Sequence, residues 1–190
     1  MLPPDRQAQL LDFRNGDEKI MRAPFDFIGL NYYSPWVVRA APDDNSIPGL
    51  HVQADWASGP DEKTDNGWDI DPPGFYAILK DMAGHAPGLP IEITENGAAY
   101  NQAPDSHGHI HDRKRIEWLR KHLRELARAI RDGVPVRAYH CWSLLDNFEW
   151  AEGYRQRFGL VFVDFKNRQQ RTVKDSGEWY AKVIAANRVV

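Results

Sequence analysis

The sequence predicts an α/β fold built on a parallel sheet. Three observations carry this expectation. Segments rich in β-branched and aromatic residues alternate with segments whose apolar residues recur at helical spacing. The connections between successive strands are long enough for crossover helices, the device that joins parallel strands. Three consecutive strands end in polar or aromatic residues, and in such sheets ligands bind beyond the strands' carboxyl ends.

Taken in order, residues 1–23 carry little pattern beyond a short helix predicted around Gln7 to Phe13. Phe25-Asp26-Phe27-Ile28-Gly29-Leu30-Asn31-Tyr32-Tyr33 is the first strand. Its apolar and aromatic content predicts cover on both faces. Asn31 and Tyr33 share a face at its C-terminal end. Residues 34–67 form a long connection containing Pro35, Pro42, Pro48 and Pro60, and a loop of this length is usually functional or disordered. Pro72-Pro73-Gly74 opens a helix over about 73–83, with Phe75, Leu79 and Met82 on one face. Gly84 and Pro87 end it.

The next strand is Pro90-Ile91-Glu92-Ile93-Thr94-Glu95. Proline can open a strand, and the period of two puts Ile91, Ile93 and Glu95 on one face. Asn96-Gly97 breaks the strand because both tolerate positive φ. Glu95 is therefore expected where a buried strand meets a loop. Asp112 is a candidate N-cap for a helix whose stripe is Ile116, Leu119, Leu123, Leu126 and Ile130, with Gly133 just past its end. A third strand runs from Pro135 to Leu145 and is followed by Asp146-Asn147-Phe148-Glu149-Trp150. An extended segment is predicted over Phe158 to Phe165. A last helix follows from Asp175 to Asn187, with Trp179, Tyr180, Val183 and Ile184 inward.

Composition narrows the function. The chain has 190 residues, 42% of them apolar, enough for one domain with a sizeable core. Seven Trp suit a site that stacks flat, half-apolar ligands such as sugars, or simply fill the core. A net charge of −3 with both signs dispersed argues against nucleic-acid or anionic-membrane partners. There is no apolar run of about 18 residues, and Met1 to Arg6 does not read as a signal peptide. The single Cys141 excludes an internal disulfide and fits a reducing compartment, so a cytoplasmic location is expected. His107, His109 and His111 alternate along one stretch, yet no Cys or carboxylate completes an obvious tetrahedral set, so no metal is expected. Gly-rich phosphate motifs are absent, and no cofactor is expected.

Ile93-Thr94-Glu95-Asn96-Gly97 resembles the nucleophile motif of glycoside hydrolase family 1, the β-glucosidases and their relatives. The resemblance runs from about Phe25 to Tyr180. It takes in Asp26 to Tyr33, Gly67-Trp68 and Pro73-Gly74, His111-Asp112 and Arg115-Ile116. It continues through Trp142 to Trp150 and Arg157-Phe158-Gly159-Leu160, then Arg171, Lys174, Ser176, Trp179 and Tyr180. The resemblance implies a (β/α)₈ barrel and a retaining glycosidase acting on β-glucosides, fucosides or galactosides included. It implies Glu95 as nucleophile, Tyr33 as its hydrogen-bond donor and Asn31 on the same floor. It implies Glu149 as acceptor for sugar hydroxyls, Trp142 and Trp150 as indole contacts, and Phe158 as a wall.

The family's acid/base lies in an Asn-Glu-Pro motif, and no Asn-Glu-Pro occurs in this sequence. The family's early Gln and His-Trp sugar contacts are absent too. Three barrel strands are predicted where a barrel of about 250 residues has eight. The chain thus resembles the C-terminal portion of a barrel, its sixth to eighth strands with their helices. Two rival expectations remain open: an inactive or sugar-binding remnant, and a half-barrel that pairs with an N-terminal half or with itself through exposed strand edges.

Overall fold

The computed structural model describes residues 14, 16–22, 24–44, 51–55, 59 and 62–190. The helix expected around Gln7 to Phe13 lies outside them. In chain order the elements are α1 (Asp17–Met21), β1 (Ile28–Tyr32), β2 (Val38–Ala40), β3 (Val52–Ala54), α2 (Pro72–His85) and β4 (Ile91–Asn96). There follow α3 (Arg113–Arg131), β5 (Val136–Cys141), a 3₁₀ turn (Trp150–Glu152), β6 (Val161–Asp164), β7 (Gln170–Val173) and α4 (Asp175–Ala186).

Two compact units emerge: Met1–Asp26 with Trp36–Gly59, and Phe27–Pro35 with Pro60–Val190. The first holds α1 and an antiparallel hairpin of β2 and β3, in which Arg39 faces Gln53. Backbone bonds Ala41 N to His51 O and Asp55 N to Val37 O, each 2.8 Å, extend that ladder. The stretch 34–67, expected as loop, therefore contains a hairpin. Its strands, Val-Arg-Ala and Val-Gln-Ala, alternate over three residues each, shorter than the run of about four to eight that announces a strand.

The second unit is organised on a parallel sheet of order β1-β4-β5, as the alternation of strands and helices predicts. Helix α2 starts where Asp71 accepts a 3.1 Å bond from Gly74 N, with Pro72 in the first turn. Helix α3 presents Leu119, Leu123 and Leu126 to the interior, together with Trp118, His122 and Ala129. Phe75, Leu79, Ile91, Ile93, Leu123, Leu126, Ala129 and Val134 form the core between these helices and the sheet. The large side chains among them, such as Phe75, Leu79, Ile91 and Ile93, each contribute about 1.5–3 kcal/mol relative to exposure.

Several details differ from expectation. The first strand is not covered on both sides. Helices pack on one face, while Gly29, Asn31, Arg137 and His140 are exposed. There Arg137 Nε donates to Glu92 Oε1 at 2.6 Å, and Thr94 Oγ1 to Asn31 Oδ1 at 2.6 Å. Asp112 holds the N-cap position of α3 without capping it. Its carboxylate is taken instead by Arg115 Nε and by Ser176 N and Oγ. Strand β5 ends at Cys141, short of Leu145. The extended segment after Phe158 pairs antiparallel with β7, a partner the sequence did not suggest. Ile130 and Ile184 lie outside the core, 46% and 63% exposed. Ile184 is rotated about 100° from Val183, which does pack inward. Among the described residues, no helix is long and apolar enough to cross a membrane.

His122 illustrates how the core sets a titration. Its ring stacks on Trp118 with centroids 3.6 Å apart, and Nδ1 sits 2.9 Å from Trp118 O. Nε2 is buried with no partner. Burial pushes the imidazole down to about 4. An unfolded histidine titrates near 6.5, so both states are neutral above that value. Between about 6.5 and 4 only the unfolded chain takes the proton. Stability should fall with acidification by up to ~1.4 kcal/mol per pH unit, about 3 kcal/mol in all. Urea unfolding at pH 7 and pH 4.5 should show that His122→Leu removes this part of the acid sensitivity. Equal acid losses in both proteins would contradict it.

Candidate active site

The site is built at the carboxyl end of the sheet. Along β1, Leu30 pairs with Ile93 but Asn31 pairs with Glu95, so β4 carries an extra residue there. The same irregularity recurs against β5, between Ile93 and Asn96. A bulge of this kind resets the alternation of faces. Ile91 and Ile93 are buried, and Asn96 takes the next buried place. Glu95 therefore leaves the face of Ile91 and Ile93, where a strict period of two had put it.

Asn96 anchors the bulge. Its Nδ2 donates to Tyr32 O at 2.6 Å, and its Oδ1 accepts from Tyr139 Oη at 2.8 Å. Trp142 N donates to Asn96 O at 2.9 Å, which draws the segment after β5 against the end of β4. Gly97 permits that approach, because a Cβ there would fall on the Trp142 carbonyl oxygen. Cys141, next to it, is no reactive thiolate, since burial pushes its thiol up to about 12.

Tyr33 Oη donates to Glu95 Oε2 at 2.5 Å. Burial, then this bond to a carboxylate, push the Tyr33 phenol well above its ordinary range. Tyr33 thus stays protonated and aims its hydroxyl at Glu95. Glu149 faces the same space. Its carboxyl is raised chiefly by burial and also by the Glu95 charge, while hydrogen bonds from Trp142 and Asn147 oppose the rise. Glu149 Oε1 is buried with no protein partner, an acceptor left open.

The loop carrying Glu149 is fixed from beneath. Buried Asp146 accepts from Arg157 Nη1 at 2.7 Å, Lys174 Nζ at 2.9 Å and Gly159 N at 3.0 Å. Burial lowers the Lys174 ammonium to about 8, with the Asp146 charge opposing.

A cleft of about 290 Å³ is lined by Tyr33, Trp68, Glu95, Trp142, Glu149, Trp150 and Phe158. That volume is near the ~300 Å³ lower end for small-ligand pockets. Six of the seven residues singled out in the sequence meet here. Asn31 is not in the lining, since its amide oxygen is engaged by Thr94 on the open sheet face. Trp68 is an addition. Its ring lies 5.3 Å from Tyr33 and 5.7 Å from Phe158, and Thr64 fixes its backbone. The Gly67-Trp68 pair was its sequence signal. A larger hollow of about 580 Å³ beside Arg39 and Gln53 has no aromatic wall.

The fold resembles known enzymes over most of its length. The β-glucosidase from Thermotoga maritima in complex with castanospermine superimposes with a TM-score of 0.87 and 40% identity, covering 98% of this chain and 42% of that one. The 1,4-beta-D-glucan glucohydrolase of Thermotoga neapolitana is 44% identical over 171 residues, 90% of this chain and 37% of that protein. The bifunctional beta-D-glucosidase/beta-D-fucosidase of Bifidobacterium breve is 40% identical over 183 residues, 90% and 39% of the two chains. An α/β unit with a parallel sheet and neighbours of this kind is consistent with part of a (β/α)₈ barrel. The sequence model of glycosyl hydrolase family 1 matches residues 4–189, and the chain belongs to that family. It spans about two-fifths of the length of the curated relatives it matches.

The close approach at Gly97 is testable. Gly97→Ala must displace either the end of β4 or the Trp142 backbone, at a cost of ~1–3 kcal/mol for overpacking. Gly84→Ala, in helix α2 with open space around it, should be neutral or slightly stabilising. Thermal unfolding of the two variants should separate them by several degrees. Equal midpoints would contradict the tight contact.

Proposed function

We propose that this chain carries the nucleophile side of a retaining β-glycosidase site that hydrolyses terminal β-glucosidic bonds. The observation behind the reading is the Tyr33–Glu95 hydrogen bond in a cleft walled by indoles and faced by Glu149. In this reading Glu95 Oε1 or Oε2 attacks the anomeric carbon and the aglycone oxygen leaves. The resulting glycosyl ester is later cleaved by water, which restores the carboxylate. Tyr33 holds the carboxylate's orientation and shares its charge. Glu149 Oε1 accepts from sugar hydroxyls, and Trp68, Trp142 and Trp150 offer stacking faces and indole donors. No cofactor takes part.

Such a reaction needs a second carboxyl group about 5–5.5 Å from the nucleophile as acid/base. The family's motif for it does not occur in this sequence. We assign it to an N-terminal barrel half, for which the outer strands β1 and β5 offer pairing edges. General acid catalysis is worth ~10²–10⁴-fold, so ordinary glucosides should not turn over on this chain alone. The absent motif also favours a second reading, a sugar-binding remnant that keeps the indoles and Glu149.

An activated leaving group separates the two, because it departs without a proton. With 2,4-dinitrophenyl 2-deoxy-2-fluoro-β-D-glucoside, the full chain should release dinitrophenolate once per site. Peptide mass spectrometry should place the sugar on Glu95, and Glu95→Gln should release nothing. A label on Glu149 or elsewhere would refute the nucleophile assignment. Saturable quenching of Trp fluorescence by glucose without any labelling would support the binding remnant.

A further inference from the structure

We propose that Asp105, His109 and His111, in the loop before α3, form a binding site for a divalent cation of the zinc class, with Asp175 at the start of α4 behind His111. The site lies outside the cleft described above. One ligand atom from each of the three side chains lies within 4.8 Å of the other two. In the sequence Asp105 continues the every-second-residue spacing of His107, His109 and His111, and the turn between brings its carboxylate to His111.

That turn is built. Asp105 Oδ1 accepts from His107 N at 2.8 Å and His109 N at 2.9 Å. Backbone bonds Gly108 N to Asp105 O and Asp105 N to His109 O close the loop, with Gly108 at φ 82°. These bonds occupy Oδ1 and leave Oδ2 directed at His111, 3.3 Å from its Nε2.

His111 is oriented from its other side. Nδ1 lies 2.8 Å from Asp175 Oδ2, so in the neutral ring Asp175 accepts the Nδ1 proton and Nε2 presents its lone pair. A carboxylate behind a ligating imidazole is the usual support of such a ligand. The frame around it is rigid. Asp175 N donates to Ile110 O at 3.1 Å, and Ser176 N to Asp112 Oδ1 at 2.9 Å. His111 is thus held between two fixed points of the backbone.

The distances suit the ion. Zinc bonds of about 2.1 Å at tetrahedral angles place ligand atoms roughly 3.4 Å apart. The Asp105–His111 pair is already at that separation. The exposed His109 ring, its centroid 6.0 Å from that of His111, closes the rest by side-chain rotation. Water supplies the fourth position. Two imidazoles and one carboxylate suit zinc better than calcium or magnesium, which prefer all-oxygen sets. A protonated His111 bridging Asp105 and Asp175 would account for two members of the group and would give His109 no part.

The test uses the full chain, freed of metal by chelator, with Zn²⁺ added in a calorimeter and Co²⁺ as an optical probe. One ion should bind per chain at micromolar concentration, and Co²⁺ should give the visible absorption of a four-coordinate site. His109→Ala and His111→Ala should each weaken Zn²⁺ binding at least about tenfold, and Asp175→Asn about tenfold. His107→Ala should leave it unchanged. All four positions are at or near the surface, so circular dichroism can verify the fold of each variant. Absence of binding at about 100 μM Zn²⁺, or an affinity in His109→Ala or His111→Ala equal to that of the unsubstituted chain, overturns the proposal.

Discussion

The arrangement of the second unit depends on one buried guanidinium. Arg115 is 2% exposed and has five N–H donors, and each finds an acceptor. Nε meets Asp112 Oδ2, Nη1 meets the carbonyls of Ala98 and Phe158, and Nη2 those of Tyr100 and Arg157. Ala98 and Tyr100 follow the strand that carries Glu95. Arg157 and Phe158 lead into the wall of the cleft. Asp112 reaches on to Ser176 in α4. Segments distant in sequence thus share one charge, and four carbonyls that would be buried acceptors are satisfied. A lysine has three donors and no planar fork, so it cannot reproduce the set.

A second buried network continues the first. Asp146 gathers Lys174, Arg157 and two backbone amides, and the loop bearing Glu149 grows from it. Buried ion pairs add little net stability over an apolar core, but breaking one leaves an expensive unpaired charge. Their consequence here is position. The site's own polar groups are kept in tension by comparison. Glu149 is raised by burial and by the Glu95 charge, and one of its oxygens has no protein partner. Stable networks beneath and an unsatisfied acceptor above is the pattern expected where a polar ligand completes the bonding.

The sequence disclosed what period and punctuation can carry. Pro72, Gly133 and the stripe from Leu119 to Leu126 located two helices, and apolar runs located the three parallel strands. Five cleft residues were legible at or beyond predicted strand ends, and Phe158 only through the family resemblance. What escaped depends on contacts between distant segments. The bulge at Glu95 depends on pairing with β1 and β5, so the strict alternation misplaced its side chain. Asp112 has the identity of an N-cap, yet Arg115 and Ser176 outbid the backbone amides for its oxygens. Asn31 stands opposite Glu95 with its amide oxygen bonded by Thr94, outside the cleft lining. Asp105 shares the histidines' spacing, but its approach to His111 depends on the turn between them. The β2–β3 hairpin was hidden by its brevity.

Equilibrium urea unfolding of Arg115→Lys, followed by tryptophan fluorescence, tests the organising role of the guanidinium most directly. Lysine keeps the charge beside Asp112 and gives up most of the carbonyl bonds. Each stranded buried acceptor costs ~1–3 kcal/mol. The account predicts a loss of about 3–5 kcal/mol, on the scale of a broken buried pair, with a changed emission maximum in the folded baseline as the indoles near Phe158 shift. A loss under about 1 kcal/mol with an unchanged baseline, the size of an exposed ion pair, would contradict it.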